Sequence, residues 1–271
     1  MVERLKSAIE KARTQRPTET SSDGESAARL PVRVSPLWET LPVQRPDRRS
    51  LEDARVIAGA RGQGNESELD VMQTRLLRLI DENGWRRVAV TATGPGCGAT
   101  TIALNLAFAL SRSREQRVLL VDPGLREPSL IRRLGLRTDR LSTSGSDETD
   151  TPAMDLRRIG ESLALLAVEP SWGRPGVSNQ VAELSDEIDR VQQELSANIV
   201  LFNLPPVALS SEALVMLGRI DAALQVAGAN RSTASEIDAC ARLIDETTTY
   251  LGVVLNNVKT RRRAPIARTH A

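Results

Sequence analysis

The sequence predicts an α/β fold of three layers, with a mostly parallel sheet of about six or more strands between two layers of helices. Three observations predict it. From residue 66 onwards, short apolar runs of strand length alternate with helical patterns. These runs carry little polar alternation, as strands covered on both faces do. The first run also ends in a glycine-rich turn that opens a helix, the connection used by a right-handed βαβ unit.

In chain order, residues 2–16 put Val2, Leu5, Ile9 and Ala12 on one face, with Glu3, Lys6, Glu10, Lys11 and Arg13 around them. This predicts an amphipathic helix as the first segment, 1–16. Alone it is too short to hold in water, so it docks or frays. Residues 17–65 predict a disordered linker. Pro17, Pro31, Pro36, Pro42 and Pro46 stand there among Ser, Thr, Glu, Arg and Gly, and such a composition buries too little apolar area to offset its ordering entropy. Leu37-Trp38 is a candidate anchor inside it. The domain is expected over 66–259. Helix 67–82 has Leu69, Met72, Leu76, Leu79 and Ile80 at helical spacing. Strand 87–93, helix 100–113, strand 117–122 and a short helix 129–134 follow. After a polar stretch to 151 come strand 163–168, helix 179–195, strand 199–204, helix 211–217, strand 222–227, helix 233–247 and strand 251–256. A basic tail, 260–271, holds Arg261, Arg262, Arg263 and Arg268. It is either solvated or meets acidic headgroups or an acidic partner loop.

Composition removes several function classes. The chain of 271 residues has 36 Lys+Arg against 35 Asp+Glu and a net charge of +1, so it has no bulk basic surface for nucleic acid. Aromatic residues are 2%, too few for a base-stacking platform. Nucleic acid is therefore not an expected partner. The single histidine, His270, and two distant cysteines, Cys97 and Cys240, argue against a zinc site, a Ser-His-Asp triad and a histidine base. Without a disulfide framework, the cytosol is the expected compartment. No apolar run approaches the ~20 residues that span a bilayer, so a membrane is expected to be met only peripherally, through a partner.

The chemistry gathers at Gly94-Pro95-Gly96-Cys97-Gly98-Ala99-Thr100-Thr101, where strand gives way to helix. Glycines let backbone amides converge on a phosphate, and the helix dipole adds to the attraction. The same spacing also fits a plain strand-to-helix turn. A phosphate-binding loop of the ATPase kind ends in Gly-Lys-Ser/Thr. Here Ala99 stands at the lysine position, while Thr100 keeps a hydroxyl able to ligate magnesium. Cys97, near a helix N-terminus where a thiolate is favoured, is a candidate redox or metal-sensitive thiol. Cys240 falls on an apolar helix face and reads as core.

Read with the turn, five segments carry a resemblance: 67–79 (SELDVMQTRLLRL), 117–136 (RVLLVDPGLREPSLIRRLGL), 199–207 (IVLFNLPPV), 222–238 (AALQVAGANRSTASEID) and 251–258 (LGVVLNNV). In this order they resemble the bacterial tyrosine kinases (BY-kinases) of the CpsD/CapB type. Those are P-loop proteins of exopolysaccharide synthesis, related to division-site and partition ATPases. The resemblance implies a P-loop NTPase-like fold and ATP with magnesium as cofactor. It implies a nucleotide site at Gly94, Gly96, Cys97, Gly98, Ala99, Thr100, Thr101, Asp122 and Asn203, with Thr100 and Asp122 on the metal. It also implies docking on the cytoplasmic part of a membrane polysaccharide copolymerase, and association as a homo-oligomer or with a catalytically intact relative.

Against the family's pattern the chemistry is depleted. Ala99 replaces the loop lysine, and Gly94 stands where partition-type relatives have a second lysine. Asp122 keeps one acid of the Asp-x-Asp segment, while Gly124 replaces the other. Asn203 stands for the magnesium-binding acid before Pro-Pro, Asn198 for an acid ahead of that strand, and Gln73 for a subunit-contact arginine. The tail lacks the tyrosine cluster, and Tyr250 is the only tyrosine. A charge-assisted hydrogen bond contributes roughly 1.5–3 kcal/mol, so losing the lysine costs about 10- to 100-fold in binding and more in rate, because charge develops in the transition state. A neighbouring base such as Arg126 is one candidate for compensation. The expected function is therefore a non-catalytic or weakly nucleotide-binding relative, with Asp122 as the catalytic acid should activity remain. The alternatives are an active ATP-dependent tyrosine kinase with a non-standard loop, and a partition-type positioning ATPase.

Overall fold

The computed structural model describes residues 35–57, 66–125, 130–136, 154–168 and 177–258. The expected helix 2–16, the tail 260–271 and Arg126 lie outside the described residues.

The elements run α1 (Pro36–Thr40), α2 (Arg48–Asp53), α3 (Glu66–Asn83), β1 (Arg87–Ala92), α4 (Ala99–Leu110), β2 (Val118–Asp122), α5 (Leu130–Arg133), β3 (Met154–Arg158), β4 (Leu163–Val168), α6 (Val177–Leu195) and β5 (Ile199–Asn203), then a 3-10 turn (Val207–Leu209), α7 (Ser211–Leu217), β6 (Ala222–Gly228), α8 (Ala234–Asp245) and β7 (Thr249–Asn256). The sheet order is β3-β4-β2-β5-β1-β6-β7. Every neighbouring pair is parallel except β3 with β4.

The strands are apolar on both faces because both faces are covered. Val88 and Val90 of β1, Val118 and Leu120 of β2, and Ile199 and Leu201 of β5 face α3, α4 and α5. Ala89, Leu119, Val121, Val200 and Phe202 face α6, α7 and α8. This period-2 division of an unbroken apolar run is what a doubly covered parallel sheet requires. It puts the C-terminal ends of β1, β2 and β5 side by side, where such sheets hold ligands. Among the described residues, no helix is long and apolar enough to cross a membrane.

Two regions depart from expectation. The linker expected over 17–65 is folded where it is described. Trp38 on α1 is 2% exposed. Its Nε1 donates to the carbonyl of Glu161 at 3.1 Å, and the Arg117 guanidinium lies 5.5 Å over its ring. Val43 bridges Arg158 of β3. Asn105 of α4 accepts from the N–H of Ile57 at 2.8 Å and donates to the carbonyl of Arg55 at 2.9 Å. The segment is a strap. Its average composition is too polar to predict order, but a few anchors fasten it at separate points. Second, β3 lies between the polar stretch and the strand at 163–168, where no strand was expected. Its Arg157 is buried and ion-paired with Asp155, which lets a charged pentapeptide sit at the sheet edge.

Candidate phosphate-binding site

β1 ends beneath the glycine-rich turn, and a buried polar network holds its root. Gln225 of β6, 0% exposed, donates to the Thr93 hydroxyl at 2.9 Å and accepts from the Tyr250 hydroxyl at 2.8 Å. The Thr91 hydroxyl donates to the carbonyl of Pro205 at 2.7 Å, joining β1 to the turn after β5. Tyr250 is thus committed to the fold under the loop.

The turn has a tight geometry. Gly96 and Gly98 have φ of +74° and +94°, a region that only glycine enters without strain. Gly98 is the N-cap of α4 and offers no side chain to its first amides, so the N–H groups that a helix leaves unsatisfied at its start face outward. Asn256, at the end of β7, donates its side-chain amide to the carbonyl of Cys97 at 2.9 Å. Cys97 itself is 2% exposed. Its Sγ stands 3.4 Å from the Ser232 hydroxyl and would touch a Cβ on Gly228 at 3.3 Å. The reactive-thiol expectation is therefore corrected: burial between two backbone segments makes this sulfur a packing group. Cys240 is core, as expected, and burial pushes its thiol up to about 11.

One cleft of about 1810 Å³ is lined by Gly94, Gly96, Cys97, Gly98, Ala99, Thr100, Thr101, Asp122 and Asn203. The fold thus brings the expected site residues to one place. The strap (Leu51, Ala54, Arg55) and α3 (Leu69, Met72) form its other wall, which sequence reasoning missed. Ala99 is 8% exposed and brings no cation.

Asp122 has a partner that the sequence did not reveal. Its Oδ2 accepts the N–H of Leu130 at 2.7 Å, so it caps α5. Burial raises its pKa to about 6, opposed by the amides of Leu130 and Gly124 and by the charge of Arg133. Gly124 has φ +67°, and its amide also acts on this carboxylate. The Oδ1 of Asn203 is buried with no hydrogen-bond partner among the described residues. An unsatisfied buried acceptor is costly unless water or an ion fills its valence. Thr100 hydroxyl, Asp122 carboxylate and Asn203 amide form an all-oxygen donor set of the kind magnesium takes while keeping several waters. The residues present therefore fit a hydrated magnesium ion, with less charge than two carboxylates would supply. Among the described residues, no group of three or more His, Cys, Asp or Glu could hold a metal.

The remaining substituted positions have structural work. The Asn198 side chain accepts from the N–H of Arg117 at 2.6 Å, tying β5 to β2. Gln73 donates to the carbonyl of Ala109 at 3.0 Å, tying α3 to α4. Sequence reasoning missed Asn256 and Arg231, whose side chains reach the turn from β7 and from the loop after β6. An Asn pair closing the last strand was a visible signal for the first. Nothing local signals the second.

Comparison with known proteins agrees with this geometry. The model of the CobQ/CobB/MinD/ParA nucleotide binding domain matches residues 88–268. The tyrosine-protein kinase CpsD of Streptococcus pneumoniae serotype 4 is 24% identical over 177 residues, covering 63% of this chain and 75% of that protein. The crystal structure of the chimerical protein CapA2B2 superposes with a TM-score of 0.61 at 20% identity, over 80% of this chain and 93% of that one. The BceF tyrosine kinase domain superposes with a TM-score of 0.59 at 19% identity, over 83% and 96%.

Proposed function

We propose a function for this chain from one premise: it belongs to the CobQ/CobB/MinD/ParA nucleotide-binding family. Within that family it is a P-loop domain similar to the tyrosine kinase CpsD in sequence and to BY-kinase domains in structure. The proposed function is that of a nucleotide-responsive, catalytically depleted subunit of exopolysaccharide biosynthesis. It docks on the cytoplasmic part of a membrane polysaccharide copolymerase, alone, as a homo-oligomer or beside an intact relative.

The observation that carries the depleted reading is the engagement of Asp122 with the N–H of Leu130 at 2.7 Å, in a cleft whose lysine position is Ala99. The loop amides and the start of α4 remain able to bind and orient phosphates. Magnesium, when bound, would neutralise phosphate charge, and Thr100, Asp122 and Asn203 would hold it. What is reduced is charge stabilisation of phosphoryl transfer, which depends on positioned cations. The likeness to CpsD and to the chimerical CapA2B2 supports the pathway part of the proposal.

The test is a titration of the full chain with fluorescent ATP and magnesium, alongside a turnover assay that includes CpsD. Binding with turnover at least 100-fold below CpsD supports the reading. Turnover equal to that of CpsD overturns it. Ala99→Lys is expected to tighten binding by about 10- to 100-fold. Titrating the cytoplasmic segment of a copolymerase with and without nucleotide tests the docking. The Asn203 Oδ1 in the cleft, without a hydrogen-bond partner among the described residues, favours a second reading, an active tyrosine kinase with an unusual metal site. Phosphotyrosine on a partner peptide would decide for it.

A further inference from the structure

The loop that has lost its lysine lies against another cation. A Cβ built on Gly96 would stand 3.1 Å from Nη1 of Arg231 and 3.6 Å from its Cζ, and a Cβ built on Gly228 would stand 3.2 Å from the Arg231 Cβ. Two glycines, one in the turn and one at the end of β6, thus make room for one arginine. The segment that carries it is well braced. The N–H groups of Arg231 and Ser232 both donate to the carbonyl of Gly228, at 3.1 and 3.0 Å. The N–H of Gly228 donates to the Ser232 hydroxyl at 3.1 Å, and Asn230 holds a φ of +60°. Thr233 then starts α8 with a capping box. The guanidinium itself has no hydrogen bond or ion pair among the described residues, and the residue is exposed. Of the other cations near the cleft, Arg48 is paired with Glu52 at 2.8 Å, the charge of Arg133 acts on Asp122, and Arg55 stands on the strap wall.

We propose that Arg231 supplies, from the loop after β6, the positive charge that Ala99 cannot, and binds the outer phosphates of a nucleotide held by the glycine-rich turn. A guanidinium keeps its charge at all working pH values and can grip two phosphate oxygens at once. A cation at this place would let a turn without lysine favour a polyphosphate over a monophosphate. Arg231 is here a binding residue, with no role assigned in bond cleavage. The inference rests on the nucleotide-binding reading above.

The experiment measures binding of ATP, AMP and inorganic triphosphate, with magnesium, to the full chain and four variants. Arg231→Gln keeps the stem that packs on Gly228 and removes the charge. Arg231→Lys keeps the charge, Arg78→Ala, on α3 and outside the cleft lining, is the control cation, and Arg231→Gln with Ala99→Lys restores a cation at the usual place. The expected result is a loss of about 10- to 100-fold for ATP and triphosphate in Arg231→Gln. AMP affinity and the melting temperature stay unchanged. Arg231→Lys is expected to retain most of the affinity, and the double variant to recover it. If wild type binds ATP and Arg231→Gln binds it equally, the inference falls while the nucleotide reading stands. If wild type binds neither ATP nor triphosphate, both fall.

Discussion

Asn256 and Gly98 meet side chain to backbone: the Asn256 amide that holds the Cys97 carbonyl lies 2.1 Å from where a Cβ on Gly98 would be. Gly98 also has φ +94°. Gly98→Ala therefore combines a steric clash with a conformation that alanine resists, and is expected to cost about 1–3 kcal/mol and to abolish nucleotide binding. Asn256→Ala in the same background removes the clash but not the strained φ, so it restores stability only in part. Denaturant midpoints of the two single variants and the double variant check this. Full restoration by the second change would refute the conformational part.

Trp38 fastens the strap. Truncating a buried aromatic typically costs 3–5 kcal/mol, and Trp38→Ala also leaves the Glu161 carbonyl without its indole donor. The strap has few other anchors, so it is expected to open before the sheet does. Limited proteolysis should show faster cleavage within 35–57 in the variant, with the remaining domain still resistant. An unchanged cleavage rate would show that the anchor is dispensable.

Asp122 should make stability depend on pH in a definite direction. Its folded pKa, raised to about 6 chiefly by burial, lies above the ordinary value of 3.8. The folded state therefore holds its proton more tightly than the unfolded state. This contribution is fully present below pH 3.8 and is lost as pH rises through about 6. A displacement of this size corresponds to about 3 kcal/mol. Asp122→Asn keeps an oxygen for the N–H of Leu130 and carries no charge. It is expected to be more stable than wild type at pH 7.5, by up to about that amount, and equal to it near pH 4. Denaturation at the two pH values decides; a variant less stable than wild type at pH 7.5 would contradict the burial penalty.

The buried sulfurs predict slow chemistry. Cys97 and Cys240 are 2% and 1% exposed, so an aromatic disulfide reagent should titrate both thiols only on unfolding. Nucleotide that binds the folded state would slow both thiols further. Rapid native modification of Cys97 would revive the reactive-thiol reading.

Much of the fold was legible because its signals are local. Runs such as Val118–Asp122 and Ile199–Asn203 are apolar enough to need cover on both sides. Ser211–Leu217 is a short amphipathic segment with a serine cap. β3 was not legible. Asp155 and Arg157 put charge into a five-residue run, and their ion pair within the sheet helps them to be buried. Beyond the Trp38 anchor, which the sequence offered, the strap was hidden for a related reason: Leu41, Ala54 and Val56 are few among many polar residues, and their burial partners come from distant elements.

By itself, the sequence determined the layered α/β architecture, the glycine turn at the head of α4 and the absence of the lysine there. These depend on residue type and on spacing within one strand, turn or helix. Only the tertiary structure decided that Asp122 caps α5, that Asn203 keeps an unsatisfied oxygen and that Arg231 stands beside Gly96. Each of these depends on which segments the crossovers bring to one edge of the sheet. Hydrogen bonds and electrostatic forces act over a few ångströms of space, whatever the length of chain between the groups.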